Sequence, residues 1–188
     1  MTPPEQHSTD YFGPAVARLD QWADDQLEKV RGNQLADAVF TNASHLGDFS
    51  LIWHIIGIAR GLTSEQRANQ AIVLSSFLGA ESLIVNQGVK RLFRRGRPTE
   101  SGDERFDVRK PSTSSFPSGH ASSAFFAATL LSAWGGRRSA PVWFGVAVIV
   151  SVSRAYVRIH HASDVIGGAL LGLSLGALAK RLARKVLG

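Results

Sequence analysis

Between Ala68 and Val89 the chain carries one charge, Glu81, in a run long enough to cross a bilayer, whose hydrocarbon core takes about 20 helical residues to span. Such a run has no polar face to offer water, so its side chains must be covered by other helices or by lipid. Three further runs share this character: Ala121 to Gly136, Val142 to Ser153, and Val165 to Ala179. In the last, Gly168, Gly172 and Gly176 recur every fourth residue on one face, the small-residue stripe that lets helices approach closely in membranes. Phe49 to Ala59 is apolar but too short to span alone; a start near Ala43, with His45 and Asp48 at the interface, makes it a weak first span. The pattern predicts an all-α integral membrane helical bundle with about five transmembrane helices. The mean hydropathy of −0.00 is low for such a protein and keeps a soluble helical bundle open as the alternative.

The remaining segments fit around this bundle. The 188 residues form a single domain. Residues 1–10 are polar with two prolines and predict a disordered tail, without the basic and apolar regions of a signal peptide. Residues 12–31 place Val16, Leu19, Trp22, Leu27 and Val30 among Asp20, Asp24, Asp25, Glu28 and Lys29, an amphipathic helix starting near Pro14 that lies at the membrane interface or packs on the body. Residues 43–188 form the bundle, with Thr63 and Gln66 as a capping box ahead of the Ala68 run. Glu81, Asn86 and Gln87 are expected to hydrogen-bond between helices, and His54 to be a packed core histidine. The absence of cysteine excludes disulfides, thiolate metal sites and cysteine nucleophiles.

With 21 Lys+Arg against 15 Asp+Glu the net charge is +6, which suits an anionic partner. Arg91, Arg94, Arg95 and Arg97 crowd one connection, Arg181, Arg184 and Lys185 sit at the C-terminus, and both clusters abut apolar runs as juxtamembrane charge does. No nucleic-acid-binding motif accompanies them, so a lipid surface or a phosphorylated lipid is the expected partner and nucleic acid is not.

Antiparallel neighbours bring four points to one end of the bundle: Lys90, Ser118, Arg154 and Asp164. There, His160 and Asp164 stand four residues apart, so on a helical turn the carboxylate can hold one ring nitrogen while the other faces a substrate. Lys90 and Arg97 flank an arginine-rich connection closed by Pro98, within a long polar loop, residues 90–117. Ser118, Gly119 and His120 head an apolar helix whose first N–H groups favour an anion. Fixed cations, backbone donors, an acid and an oriented nucleophile are the groups that phosphoryl chemistry uses.

The stretches KRLFRRGRP, FPSGH and SRAYVRIHHASD, in this order, resemble the three signature motifs of the type 2 phosphatidic acid phosphatase superfamily, of the lipid phosphate or polyprenyl diphosphate phosphatase type. The resemblance covers Ala68 to Ala179. It implies that Lys90, Arg97, Ser118, Gly119 and Arg154 bind the phosphoryl group, that His160 attacks phosphorus to give a phosphohistidine, that Asp164 orients it and that His120 protonates the leaving alkoxide. No metal or other cofactor is implied. The spacing from Arg154 selects His160 over His161, which becomes a bystander at the site edge, and Arg91, Arg94, Arg95 and Arg158 are read as interfacial or headgroup-binding charges. The implied function is hydrolysis of a lipid phosphate or diphosphate in the cell membrane, with the site facing outward and the C-terminus cytoplasmic. The alternatives are a soluble nonspecific acid phosphatase, a vanadate haloperoxidase relative, and a non-catalytic protein that binds anionic lipid.

Overall fold

The structure is a computed structural model and describes residues 11–99, 103–109 and 111–187, so the predicted disordered tail lies outside the described residues. Among the described residues there are seven α-helices and no strand: α1 Pro14–Glu28, α2 Gln34–Gly47, α3 Leu51–Gly61, α4 Glu65–Leu83, α5 Gly119–Gly135, α6 Ala140–Tyr156 and α7 Ala162–Leu187. Their starts follow local chemistry. Pro14 opens α1, the Asn33 side chain accepts from the N–H groups of Leu35 and Ala36 to cap α2, and Ser118 accepts from Ala121 to cap α5. The cap of α4 is Ser64, accepting from the N–H of Arg67, rather than the expected Thr63, whose hydroxyl instead bonds back to the carbonyl of Arg60.

The bundle is built around α5, which is buried along most of its length between α7, α6 and α4. Trp53, Leu74, Leu78, Leu130, Leu131 and Val150 make its core. The glycine stripe seats α7 on α5: a Cβ on Gly168 or Gly172 would collide with the carbonyl oxygen of Ser118 or Ser122, so backbone packs directly on backbone. Glu81 reaches from α4 to bond the hydroxyl of Ser122, the expected interhelical contact, and His54 bonds Ser75 across α3 and α4 at 2.9 Å. Asn86 and Gln87 depart from expectation: they bond Ser82 and Arg91 one turn away on their own stretch of helix.

Among the described residues, three segments are long and apolar enough to cross a membrane, Glu65–Leu92, Arg137–Tyr156 and Ala162–Leu187. Their outward residues, among them Ile72, Leu83, Val142, Leu170 and Val186, are exposed as lipid-facing side chains must be. At 17 residues α5 is shorter and enclosed. The weak first span expected from Ala43 onward is not one helix. It breaks at Asp48–Ser50, where Phe49 (φ 52°) and Ser50 (φ 60°) take left-handed backbone, a conformation that costs a non-glycine residue on the order of 1–3 kcal/mol. This break turns the chain beside the functional end of the bundle. There α1 packs on the ends of α6 and α7, held by a cluster of ion pairs in which Arg158 and Arg31 grip Asp24 while Arg105 bridges Glu28 and Asp103. Burial alone would raise the Asp24 pKa, but the hydrogen bonds and charges of Arg158 and Arg31 outweigh it and leave the carboxyl below its ordinary value, and Glu28 is held down at about 2 by Arg105 and Arg31.

Candidate active site

The four chain points expected at one end of the bundle do meet there. After α4 the chain widens into a π-helical turn, Ile84–Gly88, and then tightens into a 3-10 turn, Val89–Leu92; π-helical turns in particular are frequent at functional positions. These two turns bury Lys90, whose Nζ lies 3.4 Å from the hydroxyl of Thr113. Lys90, Gly119, His120 and His160 all line one cavity of about 360 Å³, together with Arg109 and the exposed ring of Phe49, over which Arg109 stacks at 4.6 Å.

Arg97 ties the loop to His160. Its guanidinium donates to the carbonyls of Pro111, Thr113 and Ile159 at 2.9–3.1 Å and comes within 3.4 Å of Nε2 of His160. Burial lowers the Arg97 pKa to about 10, so it stays charged at neutral pH. A cation facing Nε2 requires a lone pair there, which places the ring proton on Nδ1. Burial, opposed by Asp164 but reinforced by the charge of Arg97, holds the His160 pKa well below the ordinary 6.5; the imidazole is neutral across physiological pH.

The expected His160–Asp164 pair has a third member. Nδ1 of His160 is 3.6 Å from Oδ2 of Asp164, and Ser115 lies between them, 3.3 Å from Nδ1 and donating its hydroxyl to Oδ2 at 2.5 Å. The serine oxygen can therefore accept Nδ1–H while its own proton goes to the carboxylate. Asp164 is fully buried and also accepts from the N–H of His161 at 2.9 Å and from Arg95 at 2.5 Å.

His120 is held as firmly from the opposite side. Its Nε2 lies 3.2 Å from Asp48 and 3.3 Å from the carbonyl of Ser44, and Nδ1 has no partner among the described residues. A Cβ on Gly47 would stand 2.5 Å from the His120 ring, so only glycine admits the ring at that depth. The left-handed turn at Phe49 and Ser50 thus presents the carboxylate that grips the histidine. Ser44 links this group to Arg154, accepting from one terminal nitrogen; Nε and the other terminal nitrogen of that buried guanidinium have no partner among the described residues. Unpaired buried donors are costly, and a phosphoryl oxygen would satisfy them. The carbonyl of Arg154 also accepts from Ile159 and His160, shaping the turn that presents the histidine. Ser118 is buried, with its N–H donated to the carbonyl of Asp164.

Two sequence expectations are corrected. Arg95 is buried between Asp20 and Asp164 and meets no surface, and Arg158 pairs with Asp24 and Asp103 across to α1 and the loop. Neither is a headgroup-binding charge: the acidic partners that claim them are remote in sequence. The sequence assigns no site role to Asp20, Ser44, Asp48, Arg109 or Ser115, because the residues they touch are likewise remote. The sole local clue was Gly47-Asp48 interrupting an apolar run, which signals a break.

The PAP2 superfamily profile matches residues 70–187. The chain is 30% identical over 137 residues to decaprenylphosphoryl-5-phosphoribose phosphatase of Mycobacterium tuberculosis, covering 72% of this chain and 73% of that protein. It is also 30% identical over 159 residues to phosphatidylglycerophosphatase B of Bacillus subtilis, covering 79% and 75%. The crystal structure of a transmembrane PAP2 type phosphatidylglycerolphosphate phosphatase from Bacillus subtilis superposes with a TM-score of 0.69 at 27% identity, covering 92% of this chain and 88% of that one. Matched in sequence across the segment that holds Lys90, His120 and His160, and in fold across nearly its whole length, the chain belongs to the PAP2 superfamily.

Proposed function

We propose that this membrane protein hydrolyses a phosphate ester or diphosphate of a lipid, a phosphatidate, a phosphatidylglycerol phosphate or a polyprenyl phosphate or diphosphate, through a covalent phosphohistidine. The observation that carries the mechanism is the pair of opposed histidines lining one cavity, with Nε2 of His160 facing the Arg97 cation and Nδ1 of His120 without a partner among the described residues. The lipid class is supported by the three apolar spans that put this cavity at the end of a membrane bundle, and by the lipid phosphatases among the relatives.

The substrate phosphate lies between the histidines, its oxygens taken by Lys90, Arg97 and Arg154 and by the amide end of α5 at Gly119. The Nε2 lone pair of His160 attacks phosphorus while the bond to the lipid oxygen, or to the terminal phosphate bridge, breaks. His120, protonated, gives its Nδ1 proton to that leaving oxygen. Ser115 and Asp164 hold Nδ1–H and offset the positive charge that His160 acquires. Neutral His120 then accepts a proton from water, which attacks phosphorus and breaks the P–N bond; phosphate leaves and both histidines return to their starting state. Three fixed cations supply the charge neutralisation that a metal ion supplies in other phosphoryl-transfer enzymes. The protein acts in the plasma membrane with this end outward and the C-terminal cluster Arg181, Arg184 and Lys185 on the cytoplasmic side, in keeping with the positive-inside rule if the loop cations are reserved for substrate.

The test is phosphate release by detergent-purified protein and its His160→Ala variant, in EDTA, on phosphatidate, phosphatidylglycerol phosphate, polyprenyl diphosphate and a soluble aryl phosphate. Metal-free turnover of a lipid by the unaltered protein alone is the expected result. Activity that survives His160→Ala, or that EDTA abolishes, refutes the mechanism; turnover of the aryl phosphate alone refutes the lipid assignment.

A further inference from the structure

The amphipathic helix α1 turns an acidic residue inward. Its apolar Trp22 is 61% exposed, while Asp20 is buried to 6%. A carboxylate is withdrawn from water at considerable cost unless fully paired, and Asp20 is paired by groups that lead into the active site. One oxygen accepts from the N–H of Ser163 at 2.7 Å; the other accepts from the Ser163 hydroxyl at 2.8 Å and from Arg95 at 2.6 Å. The other terminal nitrogen of Arg95 donates to Asp164 at 2.5 Å and to Ser163 at 2.7 Å. Arg95 thus bridges two buried carboxylates, one on α1 and one on α7, and Asp20 caps the first turn of the helix that carries Asp164. The aromatic rings of Phe12, Phe93 and Phe116 pack edge to face at this junction, and Arg95 lies 5.1 Å over the Phe12 ring. All of α1 lies outside residues 70–187.

We infer that α1 completes the active site, with Asp20 a positioning residue that acts through Arg95 on Asp164. The inference rests on the role proposed above for His160 and Asp164. If Arg95 paired with Asp164 alone, its charge would be spent wholly on that carboxylate, drawing it away from Ser115 and His160. Asp20 takes half of the guanidinium, so Asp164 keeps negative charge for Nδ1–H and for the cationic His160 that phosphoryl transfer creates. Asp20 does not line the cavity that holds Lys90, His120 and Gly119, so its loss should act on turnover rather than on substrate binding.

The experiment compares the unaltered full chain with Asp20→Asn, Asp20→Glu, Arg95→Lys and Glu28→Gln, each checked for folding by thermal unfolding in detergent, with kcat, KM and pH–rate profiles on whichever lipid phosphate is turned over. Asp20→Asn is expected to lower kcat about 10- to 100-fold, as loss of an outer partner of a catalytic group typically does, with KM within about threefold. The acid limb moves to lower pH, because removing a nearby negative charge makes His160 easier to deprotonate. Asp20→Glu should recover part of kcat. Glu28→Gln, which loosens the same helix through its outer ion pairs, should stay within about twofold. Overturning results are a folded Asp20→Asn with unchanged kcat, or a Glu28→Gln loss as large as that of Asp20→Asn, which would make helix docking in general the cause. If Asp20→Asn does not fold, Asp20→Glu and Arg95→Lys decide: unchanged kcat and pH profile in both overturns the inference. Failure of the underlying mechanism is separately visible as activity that survives His160→Ala.

Discussion

Replacing Gly172 by alanine sets two effects of known sign against each other. Alanine is worth about 1 kcal/mol over glycine inside a helix, so propensity alone predicts a more stable protein. Packing predicts the reverse. A Cβ at Gly172 would collide with the carbonyl oxygen of Ser122 and stand 2.9 Å from both the carbonyl carbon and Cα of that residue. These are backbone atoms of the enclosed helix α5 and cannot rotate aside, so α7 must lift away and take Gly168 and Gly176 out of register. Overpacking of this kind costs about 1–3 kcal/mol, leaving a net loss of up to about 2 kcal/mol after the propensity gain. At about 2–4 °C per kcal/mol for a chain of this size, Tm should fall by up to about 8 °C. Gly79 on α4 and Gly145 on α6 are internal controls, because a Cβ at either has nothing within 4 Å; alanine there should leave Tm unchanged or raise it. The assay is thermal unfolding of the four proteins in one detergent, followed by circular dichroism. A Gly172→Ala Tm equal to or above that of Gly145→Ala would refute the account of how α7 is seated. Asp164 lies two turns above Gly172 on the same helix, so phosphate release should fall along with Tm.

Further outcomes follow from the site. Asp48→Asn should lower kcat by about 10- to 100-fold, the value of one hydrogen bond to a charged group, and kinetics on any turned-over lipid phosphate checks it. The rate should be bell-shaped in pH, since His160 must be neutral and His120 protonated; burial lowers both rings, His160 well below 6.5 and His120, with Arg154 adding to the effect, to about 4, so both limbs of kcat/KM should lie under pH 6.5, and an acid limb at or above that value would contradict the burial of the rings. Glu28 has its pKa lowered to about 2 from an ordinary 4.5, so its contribution to holding α1 is complete above about pH 4.5 and is lost as pH falls toward 2; hydrogen exchange of residues 14–28 should accelerate in acid before that of the bundle.

The parts of this protein legible in its sequence are those that depend on neighbours a few residues away. Charge-free runs announced membrane helices because a helix without a polar face has nowhere else to go. The Gly168, Gly172, Gly176 stripe predicted a close helix contact because four-residue spacing keeps it on one face. Lys90, Arg97, His120, Arg154 and His160 could be placed at one end of the bundle because alternating helices return the chain there. Tertiary structure alone decided what each of them touches. Asp48 and Ser44 reach His120 across 72 and 76 positions and Arg95 joins Asp20 to Asp164 across 75 and 69, separations at which no periodicity survives. The orientation of α1 was likewise invisible in advance: its pattern fits the membrane interface or the body of the bundle equally, and only the folded chain brings Asp20, Asp164 and the shared guanidinium of Arg95 together.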